Sequence, residues 1–109
     1  MKRHPVVFRR SAQADLRAIF SYVLDKSRNA DTAQNYVRRI RNKCQEIGDA
    51  PLAHPQLPDI LPGLRMAVFE WRIVILYVVE NETIRIVSIL SGSRDYAVLI
   101  KRLTSSPLL

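Results

Sequence analysis

The sequence predicts an α+β fold: an N-terminal strand, then an antiparallel pair of helices packed on one face of a small, mostly antiparallel sheet, in the order β-α-α-β-β-β. Three observations predict it. Apolar residues between Ala12 and Ile47 recur at spacings of three and four, in two stretches separated by one break. Pro51, Pro55, Pro58, Pro62 and Gly63 then crowd a short connector. From Leu64 onward the pattern turns β-rich, with runs of branched and aromatic residues.

Each element has its own reasons. Pro5-Val6-Val7-Phe8-Arg9 is a short β-prone opening. Ser11 is a good N-cap, and Ala12, Leu16, Ile19, Phe20 and Val23 make one apolar stripe on a helix of about four turns, with Gln13, Asp15, Arg17 and Ser21 between them. Ser27-Arg28-Asn29 breaks that helix. A second runs from about Ala30 to Ile47, its seam built from Ala33, Val37, Ile40, Cys44 and Ile47. Gly48 stands where a C-terminal cap belongs, and Pro51 forbids continuation. Leu64 to Phe69 and Arg72 to Glu80 read as strands, and the unbroken run Ile73-Val74-Ile75-Leu76-Tyr77-Val78-Val79 requires a strand central in the sheet or covered on both faces. Asn81-Glu82 is a compact turn into a last strand, Thr83 to Leu90, which Gly92 ends. Asp95 to Leu103 is compatible with a short final helix, and Thr104 to Leu109 reads as a loose tail on a single domain spanning 1–109.

The 109 residues suffice for one domain with its own core. A lone cysteine, Cys44, excludes an internal disulfide framework and fits a reducing, cytoplasmic setting; on the helix seam it reads as a small hydrophobe. No apolar run approaches the roughly 20 residues of a membrane span. The net charge of +7 points to an anionic partner: nucleic acid, a machine that handles it, or an acidic protein. Thirteen of the 17 cations are arginine, whose planar fork suits carboxylate, phosphate and backbone acceptors.

No cofactor or metal site suggests itself. His4, His54 and Cys44 lack ligand spacing, and three glycines form no phosphate loop. Paired carboxylates in an acid/base arrangement are lacking too. What stands out is arginine in and around the sheet: Arg65, Arg72, Arg85 and Arg94. Alternation sends Arg85 to the face opposite Ile84 and Ile86, away from the helices. With neighbouring strands paired, Arg65, Arg72 and Arg85 could converge on that open face; alternatively each is a solvated charge guarding a strand edge. Arg38, Arg39, Arg41 and Lys43 form a second basic group on the outer face of the second helix, read first as a solvated face.

These residues resemble the ParE branch of the RelE/ParE superfamily of toxins from bacterial toxin–antitoxin systems, over about residues 6–97. The resemblance lies in Phe8, Ala14-Asp15-Leu16-Arg17-Ala18-Ile19 and Tyr22-Val23; in Ala33, Tyr36-Val37, Ile40 and Cys44; in Pro51 and Pro62-Gly63-Leu64-Arg65; and in Ile75-Leu76-Tyr77-Val78-Val79. It closes on Ile84-Arg85-Ile86-Val87-Ser88-Ile89-Leu90-Ser91-Gly92-Ser93-Arg94-Asp95. It implies a small toxin neutralised by a ParD-like antitoxin encoded beside it, whose C-terminal segment wraps the helical hairpin and sheet.

ParE-like members are thought to trap DNA gyrase on cleaved DNA, whereas RelE-like members cut messenger RNA on the ribosome. Cutting RNA needs a base for the 2′-hydroxyl, an acid for the leaving oxygen and cations for the phosphate. Arg65 and Arg94 could serve the phosphate and Tyr96 could donate a proton, but Ser91 stands where many family members carry histidine, and a hydroxyl cannot replace imidazole near neutral pH. The reading that follows is a gyrase-binding toxin with target contacts at Arg65, Arg72, Arg85, Arg94 and Tyr96. Antitoxin contacts fall at Arg38, Arg41, Arg65, Arg72 and Arg85, and direct binding of free nucleic acid is expected to be weak or absent. The alternative is a ribosome-dependent mRNA interferase.

Overall fold

The computed structural model describes residues 3–91; Gly92, Arg94, Tyr96, the expected final helix and the expected tail lie outside the described residues. The element order is β1 (Val6–Phe8), α1 (Arg10–Ser27), α2 (Ala30–Ile47), β2 (Arg65–Phe69), β3 (Ile73–Glu80) and β4 (Thr83–Ser91). The four strands form one sheet in the order β1-β4-β3-β2. β3 is antiparallel to both neighbours, and β1 runs parallel to β4 with Val6 opposite Ile84 and Phe8 opposite Ile86. This is the expected α+β architecture, with one parallel pairing at the N-terminal edge.

The helices form because their apolar stripes have one place to go. Ala12 and Leu16 of α1 and Ile40, Cys44 and Ile47 of α2 pack on Ala67, Ile73, Ile75, Tyr77, Ile84, Ile86 and Ile89 of the sheet. Asn29 starts α2, its side-chain oxygen accepting from the Thr32 N–H at 3.0 Å, and Arg28 in the left-handed region ends α1.

The β3 run is both central and covered on both faces. Leu64, Leu76, Val78, Val87 and Leu90 make a second cluster on the side away from the helices, and Leu57, Ile60 and Leu61 of the connector pack against it. The face expected to be open is therefore roofed by the connector along its middle. Gly63, at φ +83°, supplies the left-handed turn that brings the connector into β2. The β3–β4 reversal puts both Asn81 and Glu82 at positive φ, as a two-residue hairpin of matching twist requires.

Two capping expectations change. Helix α1 begins at Arg10, so Ser11 is not its cap; its Oγ donates to the Val87 carbonyl at 2.5 Å. Asp15, expected on the polar side of α1, accepts the Ile89 N–H at 2.9 Å. The physical reason is that β1 stops at Phe8, and beyond Ile86 the side chains of α1 take over the edge of β4 that a longer strand would have paired. A shift of register between Leu76 and Tyr77 leaves Val87 as an extra residue in β4 at this same place.

Gly48 does cap α2, but with right-handed φ −62° and ψ −20°, so left-handed geometry is not why glycine stands there. The reason is the N-terminal segment. His4 N–H donates to the Gly48 carbonyl at 3.0 Å, and a Cβ at residue 48 would lie 2.5 Å from the His4 carbonyl oxygen. Glycine to alanine at a helical position ordinarily stabilises by about 0.5–1 kcal/mol. Here Gly48→Ala is expected to invert that sign and cost about 1–3 kcal/mol, read as a lower denaturation midpoint.

Candidate functional site

Among the described residues, Arg65, Arg72 and Arg85 do not gather into one pocket. Register decides this, because residues opposite each other on neighbouring strands share a face. Arg65 pairs with Tyr77, and Tyr77 belongs to the helix-side core. Arg85 pairs with Val78, which belongs to the cluster on the other side. So Arg65 and Arg85 lie at the same level of the sheet on opposite faces. Arg72, expected to open a strand, instead sits in the turn at the far end of β3, about 16 Å away along the strand at 3.3 Å per residue.

Each is also employed differently. The Arg65 guanidinium donates to the carbonyls of His54 at 2.7 Å and Leu52 at 3.3 Å, which pins the connector. Arg85 pairs with Glu80 at 2.7 Å on the face away from the helices. Arg72 forms neither an ion pair nor a side-chain hydrogen bond among the described residues. The basic group expected on the outer face of α2 divides: Arg38 bonds Asn35 of its own helix at 2.5 Å, whereas Arg41, 5.2 Å over the Phe8 ring, and Arg39, paired with Glu70 and resting over Tyr36 and Phe69, reach down to the sheet because those rings offer their faces there.

One polar cluster went unnoticed in the sequence. The buried Tyr77 hydroxyl donates to the Pro51 carbonyl at 2.7 Å and lies 3.3 Å from His54 Nδ1. Burial raises the Tyr77 pKa, with Arg65 partly opposing. Burial lowers the His54 pKa, and Lys43 and Arg65 push it the same way, so the neutral ring is the folded form. Cys44 is buried and its thiol is pushed up to about 12, which leaves it inert near neutral pH.

The sign for stability follows from the depressed His54 pKa. Protonation favours the unfolded chain, so the contribution is intact above the ordinary histidine value of about 6.5 and declines as pH falls below it. Denaturant midpoints should drop between about pH 7 and 5, and His54→Asn should flatten that part of the profile. An unchanged slope in the variant would assign the acid sensitivity elsewhere.

A groove lies at the other end of the helical layer. It measures about 660 Å³ and is lined by Ala18, Ile19, Tyr22 and Val23 of α1, Tyr36 of α2, and Glu70, Arg72, Ile73 and Ser91 of the sheet end. The β2–β3 turn beside it holds Glu70 at φ +50° and Trp71 at φ +63°, and the Arg72 N–H closes it on the Phe69 carbonyl at 3.2 Å.

The fold and these sites can now be set beside known proteins. The sequence pattern of the family described as "ParE toxin of type II toxin-antitoxin system, parDE" matches residues 6–96. The chain belongs to the ParE toxin family. No curated protein sequence matches it significantly. Among solved structures, this ParE chain is similar to one from the chromosomal ParDE system of P. aeruginosa, with 22% identity and a TM-score of 0.72 over 83% of this chain and 97% of that one. It is also similar to one from the RelBE2 toxin–antitoxin complex of Mycobacterium tuberculosis, with 17% identity and a TM-score of 0.64 over 84% and 100%. A third is a substituted E. coli toxin RelE in the free state, with 18% identity and a TM-score of 0.59 over 93% and 98%. At these identities the likeness is one of fold. No described helix of this ParE chain is long and apolar enough to cross a membrane.

Sequence reasoning missed three participants in this ParE chain. His54 was set aside for lack of ligand spacing; its contact with Tyr77, 23 residues on, arises only when the connector folds back, and no local pattern marks it. Asp15 sits one residue before the buried Leu16, where a carboxylate can reach a strand edge. Trp71 falls between the two expected strands and drew no reading; it sits exposed in the β2–β3 turn.

Proposed function

We propose that this ParE-family toxin acts by binding DNA gyrase, and that a ParD-like antitoxin holds it inactive. The observation that carries a binding mode of action is the dispersal of the cations. Arg65, Arg72 and Arg85 occupy two faces and both ends of the sheet, and Arg38 and Arg41 stand on α2. A spread of this kind suits contact with a large partner; chemistry on one phosphate calls for cations aimed at one point. Arg72 and Arg85 are the proposed target contacts within the described residues, with Arg94 and Tyr96 continuing them. Arg38 and Arg41 join Arg72 and Arg85 toward the antitoxin, and Arg65 contributes by holding the connector in place. Support for an antitoxin comes from two of the similar structures, described as ParDE and RelBE pairs.

One experiment separates the targets. Purified toxin is expected to block gyrase supercoiling and accumulate cleaved DNA, and to leave translated messages intact. Untouched supercoiling at high toxin excess, together with cuts in the A-site codon by primer extension, would overturn the gyrase reading in favour of the mRNA interferase. The observation favouring that second reading is the His54 imidazole beside Tyr77 and near Arg65. On that reading Arg65→Ala abolishes the cuts.

A further inference from the structure

The connector is fastened to the sheet in two different ways. Leu57, Ile60 and Leu61 pack on the second apolar cluster, whereas residues 51–56 add no side chain to either cluster among the described residues. Leu52, Ala53, Pro55 and Gln56 are exposed, and Pro51 and His54 are half-buried. What holds this stretch is polar. Tyr77 reaches the Pro51 carbonyl and the His54 ring, Arg65 reaches the carbonyls of Leu52 and His54, and the Met66 N–H donates to the Pro55 carbonyl at 3.0 Å. A stretch held by hydrogen bonds and outside the apolar clusters can open by itself, because little surface is exposed when it does.

The same bonds decide where His54 keeps its proton. Tyr77 has one hydroxyl hydrogen, and the 2.7 Å contact with the Pro51 carbonyl takes it. The 3.3 Å contact with the imidazole is then an Nδ1–H donating to the Tyr77 oxygen. In the neutral ring the lone pair is on Nε2, and an incoming proton goes there. Nδ1–H donates as before, so protonation changes the charge of the ring and removes no hydrogen bond.

The surroundings oppose that charge. Tyr77 of β3 faces the ring with its hydroxyl and, edge-on at 6.0 Å, with its own ring. Lys43 of α2 and Arg65 of β2 are the charged groups that act on it, and both are cations. Arg65 is bound to the carbonyl of the same histidine. None of the three is in an ion pair with a carboxylate among the described residues. Opening relieves the repulsion by letting water and salt screen it.

We propose that residues 51–56 form an acid-released strap: on proton uptake by His54 they part from Tyr77, Arg65 and Met66 while both apolar clusters stay closed. Release also takes the Arg65 guanidinium off the two carbonyls that hold it, so the strap sets how free that cation is. The size of the effect is bounded. With an ordinary histidine pKa of about 6.5 in the open form, opening gains at most about tenfold between pH 7.5 and 5.5.

Native-state hydrogen exchange on the full chain tests the strap, with the Met66 amide as reporter because it bonds the Pro55 carbonyl. Ala67, paired with Ile75 inside the sheet, reports opening of the whole domain. After division by the intrinsic rate at each pH, Met66 exchange should rise about five- to tenfold from pH 7.5 to 5.5. It should be nearly independent of low urea, whereas Ala67 should respond with the full unfolding slope. In His54→Asn, which cannot take up the charge, the rise should shrink to less than about twofold. Met66 exchange that follows urea with the slope of Ala67 overturns the strap without any variant, since the segment then opens only with the whole domain. A rise that persists in His54→Asn assigns the proton to another group and likewise overturns it.

Discussion

Ile40→Asp should leave no folded protein. Ile40 is fully buried in α2 and belongs to the cluster that joins both helices to the sheet. Removing its side chain forfeits about 3–4 kcal/mol of burial and packing. The carboxylate then has no partner in an apolar layer, which adds several kcal/mol whether it stays charged or takes up a proton. The sum reaches the whole stability of a domain this size, about 5–10 kcal/mol. Far-ultraviolet circular dichroism should show loss of cooperative melting, and toxicity and antitoxin binding should vanish together. Leu16→Asp, in the same cluster on α1, should behave alike. A soluble, cooperatively melting, toxic Ile40→Asp protein would show that the seam is not core.

Asp15→Ala should cost about 2–3 kcal/mol, a large effect for a polar residue on a helix. Its carboxylate accepts from the Ile89 N–H at 2.9 Å, where β1 no longer reaches. Truncation leaves a strand amide in a buried part of the sheet without its acceptor, and that desolvation is the larger part of the penalty. Asp15→Asn keeps an acceptor and should recover much of the loss. The pair of variants is compared by denaturant midpoint with unchanged m-value. Equal losses in the two would assign the role of Asp15 to its charge instead of to this hydrogen bond.

The helices, the central strand and their burial were legible in the sequence because each is written locally. The stripe through Leu16 and the seam through Ile40 and Cys44 are spacings within one element, and the run from Ile73 to Val79 declares its own coverage. Arg85 was placed on the correct face for the same reason, since alternation with Ile84 and Ile86 is a property of β4 alone. Arg65 was not, because its face depends on pairing with Tyr77 across a turn whose length the residues do not state; one residue more or less would reverse it. The same limit explains Ser11 and Gly48. Each has an ordinary local reading, as an N-cap and as a left-handed cap, and each is used by a segment distant in the chain: the Val87 carbonyl in one case, His4 in the other. Arg72 was read as the opening of a strand, and only the turn geometry places it, with Trp71, between β2 and β3.

The parallel pairing of β1 with β4 also sets an order in time. Ser11 reaches across 76 residues to Val87, and Asp15 across 74 to Ile89. As the chain is synthesised from its N-terminus, the helical hairpin emerges long before the strand that completes its support, and such long closures are slow and come late. Until β4 has been made, α1 has no sheet edge to hold, and the groove beside Tyr22 lacks Ser91. A chain ending before residue 84 therefore leaves the β3 edge at Ile75 and Leu76 without its partner strand and the helical hairpin without the finished sheet that supports it.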